Sequence, residues 1–466
     1  MPQSAKTDRK LLIGILLVTA VARLAVYLAS GYQVDDALIT FRYAENLAVG
    51  NGFVYNVGEN VLGTTSPLFT VLLASVKYLG VAVLHAAVVV SILFALLTSY
   101  CLLRFAERCG LSHLTFLPAL IYALYPRSIV SEICGLETAV FTSLLVAALY
   151  LLFSRRYLAA AMVASLAYIT RPEGAALLLI VLVVAACERP PRIWLLAAAP
   201  LLLVGGWLVF SIQYFGTIIP NSITAKSALY ASSTPLITRL GQMTTLGIWP
   251  GLVLIAAVIA VAFVLVLRRD RLLVAALTAL GMVFGLSFFS PRIFFWYAAP
   301  ALPLLFLVLT KGLDLVAGKR LSEKLSLGLA VVIALCLAVV SYARIGRLES
   351  EMRWYEDNHI AAAEYLNVHA ATGDTVLAED IGHFGYHYRG RIIDRDGLVT
   401  PQAIDYNRRG SAMQFADSVN ADWLFLAVSQ SGVQPILNSA AFMGRYELIT
   451  LARPATQETH RLYRRH

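Results

Sequence analysis

Residues 11–49 read LLIGILLVTAVARLAVYLASGYQVDDALITFRYAENLAV. The run from Leu11 to Ser30 is apolar over the length a helix needs to cross a hydrocarbon core of about 30 Å at ~1.5 Å per residue. A basic head (Lys6, Arg9, Lys10) precedes it and no small-residue cleavage site follows, so a retained anchor rather than a signal peptide is expected. Directly beyond the run stand two adjacent carboxylates, Asp35 and Asp36, and then Arg42 and Glu45.

Similar apolar runs recur along the first three quarters of the 466 residues, and only 14% of the chain is charged. A soluble protein carries about 25% charged residues, and one with this composition would expose large apolar patches. A soluble enzyme, a fibrous protein and a disordered chain are thereby excluded, leaving a polytopic helical membrane protein. The net charge of +9 does not mark nucleic acid, because the basic residues sit in short clusters between apolar runs. These are Lys6/Arg9/Lys10, Arg104/Arg108, Arg155/Arg156, Arg189/Arg192, Arg268/Arg269/Arg271 and Lys311/Lys319/Arg320/Lys324. The positive-inside rule puts all of them in the cytoplasm.

A trace consistent with those clusters has about eleven spans: 11–30, 85–105, 112–127, 137–153, 157–171, 174–187, 193–213, 244–267, 271–289, 293–310 and 325–343. The N-terminus is then inside and the C-terminus outside, in a plasma membrane. Several of these spans are near or below the usual minimum length, as happens where helices line a cavity. Five cysteines lie in or beside the spans, which gives neither a disulfide framework nor a CxxC metal site.

Residues 1–343 therefore read as a transmembrane domain. Within it, 31–84 is a first outer loop with two juxtamembrane helices, about 36–49 and 66–79, around the turn-rich GNGFVYNVGEN. Pro67 suits the first turn of the second helix. Residues 344–466 read as a small extracytoplasmic α/β domain, with a helix over 350–371 and strands at TVLAE, RIIDRDG, DWLFLAV and YELITL.

Asp35-Asp36 is the sharpest chemical signal. One reading is a pair of charges at a helix start. The other is a general base that takes a proton from a hydroxyl, its neighbour raising its pKa or holding a partner. A paired carboxylate also suits Mg²⁺ or Mn²⁺, although no cofactor is required by the pattern. His85, His383 and His387 invite a metal test, but no HExxH is present and packing histidines are expected. No Gly-rich phosphate loop follows a strand, so no nucleotide site is expected.

The segment Asp35-Asp36-Ala-Leu-Ile-Thr-Phe-Arg42-Tyr43-Ala-Glu45-Asn46, with Gly50-Asn51-Gly52-Phe53-Val-Tyr55-Asn56 and Gly63-Thr-Thr-Ser66-Pro67, resembles the first outer loop of GT-C membrane glycosyltransferases. The arabinofuranosyltransferase-like group, with decaprenyl-phosphate donors, is the nearest in pattern. Looser echoes follow at Gly135-Leu-Glu137, Arg171-Pro172-Glu173, Pro220-Asn221…Lys226 and Asp380-Ile-Gly382…Gly397. Leu38 and Asn60 depart from the pattern, so sugar identity does not carry over.

The resemblance implies an inverting transfer of a hexosyl or pentosyl group from a polyprenyl-phosphate sugar to a hydroxyl on a glycan, lipid or protein. It makes Asp35 or Asp36 the catalytic base, with Asp35 slightly favoured. It also implies cations for the donor phosphate, for which Arg171, Lys226 and Arg292 are candidates. Arg42, Tyr55, Asn56, Ser66, Glu137, Glu173 and Asn221 are candidate substrate-binding residues, and Glu137 and Glu173 fit helix-end charges equally well. A transporter or flippase of lipid-linked sugars is the rival. Its mark would be inverted repeats with charges at the membrane midplane, which the sequence does not carry.

Overall fold

The computed structural model describes residues 9–466 except 112, 191–193, 231–233, 245–247, 291, 318–322, 429–436, 438–439 and 452–458. Lys6, Arg192, Lys319 and Arg320 of the basic clusters lie outside the described residues. The chain forms two compact units. One comprises Met1–Ala29, Ala87–Val209 and Ser232–Ile345; the other comprises Ser30–Ala86, Phe210–Ala231 and Gly346–His466.

The first unit is helical and apolar. Among the described residues, five helices are long and apolar enough to cross a membrane, or six if one bent pair counts as a span, against the eleven expected. The five are Arg9–Ser30, Val83–Arg108, Leu195–Phe215, Phe295–Val316 and Ala330–His369. The expected spans 157–171, 174–187 and 271–289 correspond to apolar helices of 14, 15 and 17 residues, Tyr157–Thr170, Gly174–Glu188 and Leu273–Phe289, which fall short of a full crossing by length. Pro126–Ile133 and Thr138–Phe153 meet at 118°, where Gly135 takes φ +90°, a conformation that costs glycine little. Arg155, Arg189 and Arg269 adopt left-handed backbone just after the helices Thr138–Phe153, Gly174–Glu188 and Ile248–Leu267. Three arginines of the basic clusters thus follow helix ends, in the position glycine usually fills, and those ends fall within a residue of the expected span ends. Many large apolar side chains on these helices face outward, including Leu17, Leu28, Leu201, Leu202 and Phe263, as a lipid-facing surface requires. Inside the unit Arg23 is buried, and its Nε donates to Glu132 Oε2 at 2.7 Å while Tyr122 donates to Glu132 Oε1 at 2.7 Å. A charge so far from water is tolerated because it is paired and hydrogen-bonded.

The second unit is built on a five-stranded sheet: β1 (Val376–Ala378), β2 (Ile392–Asp394), β3 (Trp423–Ala427), β4 (Tyr446–Ile449) and β5 (His460–Arg465). The order is β2-β1-β3-β5-β4. β1 is parallel to both β2 and β3, with Leu377 opposite Ile393 and Leu424. β5 is antiparallel to β3 and β4. Alternation sends Leu377, Leu424, Leu426 and Tyr463 to one face, where they pack with Phe415 and Phe442. Val376, Trp423, Phe425 and Leu462 go to the other face, with Ile39, Tyr43, Phe53 and Tyr55 of the first loop and Ala225. That second core fastens the helices Asp35–Ala48 and Asn221–Leu229 into the unit, and Pro67–Tyr78 packs against Asp35–Ala48. The helix beginning at Glu323 runs to Tyr355 and passes through a π-helical turn, Glu356–Ile360, into Ala361–His369.

Candidate active site

The helix Asp35–Ala48 begins with the carboxylate pair in its first turn, where negative charge suits the helix dipole. The two side chains then part. Asp35 accepts the backbone N–H of Gly382 on Oδ2 at 2.9 Å and that of His383 on Oδ1 at 2.7 Å. Burial raises its pKa well above the usual carboxylate range and the nearby Asp380 and Asp36 carboxylates add to the rise, while the two N–H groups oppose it. Asp36 instead accepts Lys226 Nζ on Oδ2 at 2.6 Å, and both side chains keep about a quarter of their surface open. Among the described residues Asp36 bonds through that one oxygen.

The loop that holds Asp35 tolerates no side chain at Gly382, where a β-carbon would overlap the Asp35 backbone carbonyl and carboxyl carbon. Around it, Arg42 spends its guanidinium on backbone: Nε donates to Tyr55 O at 2.9 Å, Nη1 to Gly385 O and Tyr388 O, and Nη2 to Gly390 O at 2.7 Å. It also lies over the Tyr55 ring. Tyr55 donates to Ile381 O at 2.7 Å. Asn56 makes a paired bond with the Ile392 backbone, at 2.8 and 3.1 Å. Ser66 is buried beside Thr40 and Thr64. Asn221 begins its helix by donating its N–H to Leu62 O at 2.8 Å. These residues fix the first loop against the segment 378–392. His383 is a packing residue: its ring stacks on Tyr355, its Nε2 lies 3.0 Å from Gln33 O, and burial lowers its pKa to about 4.

The remaining candidates belong to the first unit. Arg171, 5% exposed, donates from Nη2 to Glu173 Oε1 at 2.9 Å and lies 3.6 Å from Glu137 Oε1. Phe141 and Tyr297 flank its guanidinium, each 5.5 Å from ring centre to Cζ. Its Nη1 has no hydrogen-bond partner among the described residues. Arg292 is exposed and lies over the Phe294 ring.

As arranged, the Asp35–Asp36 pair fits a divalent ion poorly. Both Asp35 oxygens already accept backbone N–H groups, and an ammonium stands against Asp36. A hard ion needs several free oxygens.

Residues 347–463 match a domain family described as a domain of unknown function, DUF8728. A terminal β-(1→2)-arabinofuranosyltransferase of Mycobacterium tuberculosis is 28% identical over 220 residues, spanning 42% of this chain and 35% of that protein. The chain thus matches about a third of the length of this curated relative. The crystal structure of ArnT from Cupriavidus metallidurans bound to undecaprenyl phosphate superposes with a TM-score of 0.62 at 13% identity, covering 98% of each chain. The structure of arabinofuranosyltransferase AftD from Mycobacteria gives 0.55 at 16% identity, over 99% of this chain and 40% of that one. The chain has the GT-C fold. That fold match covers 98% of the chain, and with its apolar helices the chain is an integral membrane protein.

Proposed function

We propose that this chain is an inverting membrane glycosyltransferase that moves a sugar from a polyprenyl monophosphate to an acceptor hydroxyl at the outer face. The observation that carries the reading is the division of labour in the carboxylate pair. Asp35 is tied by both oxygens to backbone, whereas Asp36 is held by Lys226 on Oδ2, its other oxygen bears no hydrogen bond among the described residues, and its side chain is about a quarter exposed. In the proposed step Asp36 takes the acceptor proton as the hydroxyl oxygen attacks the anomeric carbon. The bond from that carbon to the phosphate oxygen breaks on the opposite face, and the phosphate leaves with the electron pair. One displacement inverts the anomeric centre. Asp36 is thus the catalytic residue, while Asp35, Arg42, Tyr55, Asn56 and Ser66 are positioning residues that hold the loop.

Lys226, Arg171 and Arg292 are proposed as donor cations. For Arg171 the support is its buried Nη1, which has no hydrogen-bond partner among the described residues, since arginine binds phosphate through several N–H groups at once. Each is tested separately by titrating a polyprenyl phosphate into purified chain. Loss of a charge-assisted bond costs about 1.5–3 kcal/mol, so Arg171→Ala should weaken binding by about 10- to 150-fold. Unchanged binding would remove that residue from the donor site.

We keep the eleven-crossing trace as the proposed topology, the shorter apolar helices supplying crossings that length alone does not count. It puts the N-terminus in the cytoplasm and the second unit outside, in a bacterial plasma membrane. Glycan, lipid and protein hydroxyls all fit the acceptor role, and nucleic acid has none.

A further inference from the structure

We propose that His359, Asp380 and His460 form a binding site for a first-row transition-metal ion, with zinc as the best-suited occupant. Their three ligand atoms lie within 4.8 Å of one another, although the residues are up to a hundred positions apart in sequence. The fold brings them together at the carboxyl edge of the parallel strands. Asp380 follows β1, and His460 opens β5 opposite Ala427, the last residue of β3. The order β2-β1-β3 makes the chain pass from one side of β1 to the other, and such a switch leaves a crevice where ligands bind. His359 enters from the π-helical turn Glu356–Ile360, an irregularity frequent at functional sites.

The second observation is the state of His359. It is fully buried, and neither Nδ1 nor Nε2 has a hydrogen-bond partner among the described residues. Buried polar groups are nearly always satisfied, so a histidine with two orphaned nitrogens beside another imidazole points to an absent ligand. The His460 ring lies 4.4 Å away, centre to centre. His460 Nδ1 is 3.1 Å from Thr459 Oγ1, and its Nε2 faces Asp380 Oδ2 at 3.1 Å. If Nδ1–H donates to the threonine, Nε2 presents its lone pair to the carboxylate. Two electron-rich atoms at that distance need a cation between them or a proton.

Two imidazoles and one carboxylate suit zinc and its neighbours, whereas calcium and magnesium prefer all-oxygen sets. Zinc–nitrogen bonds of about 2.0–2.1 Å put tetrahedral ligands roughly 3.3 Å apart. The His460–Asp380 pair already meets that spacing. The widest separation would close by rotation of Asp380, whose side chain is half exposed. Trp354 and Phe425 flank both imidazoles and supply an apolar shell, and Thr459 supplies the outer hydrogen bond that orients a ligating histidine. Asp380 itself has φ +48° and stands two residues before Gly382, whose N–H binds Asp35. A bound ion would therefore stiffen the loop that fixes the first-loop carboxylate. The inference does not depend on the transfer reading, because its test measures metal and not activity.

The test uses tag-free, full-length chain in detergent, stripped with chelator. Zinc is titrated calorimetrically and cobalt by its visible absorption. We expect one equivalent bound with a tetrahedral cobalt spectrum. Affinity should fall at least tenfold in Asp380→Asn and His460→Gln and stay unchanged in His369→Gln, an exposed histidine elsewhere. The wild-type cobalt spectrum stands even if a variant fails to fold. No uptake at micromolar free metal, or uptake that survives both substitutions in folded protein, would overturn the proposal. It would leave His460 and Asp380 as a hydrogen-bonded pair.

Discussion

Exchanging each first-loop aspartate for asparagine should produce two different failures. Asp35→Asn keeps the shape but replaces one accepting oxygen with an NH₂ group facing the N–H of Gly382 or His383, at 2.9 and 2.7 Å. A buried donor left without an acceptor costs about 1–3 kcal/mol, so this variant should unfold at lower temperature. Asp36→Asn loses the pair with Lys226, and that lysine is open enough for water to replace its partner. Partly exposed pairs of this kind contribute about 1 kcal/mol or less, so the fold should persist. Its turnover should fall 10²–10⁴-fold, the usual contribution of a positioned base, or about 3–5 kcal/mol of barrier at 1.36 kcal/mol per tenfold. Donor affinity should change far less, because the base acts on the acceptor. The assay pairs thermal unfolding in detergent with transfer of labelled sugar and binding of polyprenyl phosphate. The reasoning is refuted if Asp36→Asn turns over near the wild-type rate while Asp35→Asn remains stable and inactive.

Three further outcomes follow from the same geometry. Gly382→Ala should destabilise the chain by about 1–3 kcal/mol, typical of overpacking, since the new methyl meets Asp35 directly; thermal unfolding equal to wild type would contradict that contact. Burial and the neighbouring Asp396 push Asp394 up to about 7, against roughly 3.9 unfolded. Between those values the folded state holds the extra proton, so this contribution to stability is full below about pH 4 and is lost as pH rises through about 7. Asp394→Asn should lack that slope, so the wild-type unfolding midpoint should fall relative to the variant's as pH rises from about 4 to about 7; parallel pH profiles would refute the assignment. In a chain with its five native cysteines replaced, Thr400→Cys should react with an impermeant reagent on intact cells and Pro190→Cys should not. The reverse pattern would contradict the proposed orientation.

Much of the second unit was legible because strand alternation is local. TVLAE, RIIDRDG, DWLFLAV and YELITL contain β1 to β4. The fifth strand, HRLYRR, hides its buried positions His460, Leu462 and Tyr463 among cationic residues, so it carries no clear period. Apolar runs and charge clusters mark where these helices lie, but helices of 14 to 17 residues such as Tyr157–Thr170, Gly174–Glu188 and Leu273–Phe289 show that an apolar run is not by itself a full crossing. Nor does sequence order reveal that Ile39, Tyr55 and Phe425 share one core, which is what turns Arg42, Tyr55 and Asn56 into ties to backbone. His383 and His387 stand at a short spacing visible in the sequence. The cluster that forms draws on 359, 380 and 460, a juxtaposition only the sheet creates.

The central claim is that this chain breaks the bond between a sugar and a polyprenyl phosphate and delivers the sugar to a hydroxyl. It is tested most directly by incubating purified chain with a panel of radiolabelled polyprenyl-phosphate sugars and a cell-envelope acceptor extract, beside Asp36→Asn. The account predicts that with one donor the label leaves the lipid for the acceptor with inverted anomeric configuration, and that the variant leaves it on the lipid. Label that stays on the lipid with every donor, while the lipid crosses the bilayer of reconstituted vesicles, would contradict it in favour of a flippase.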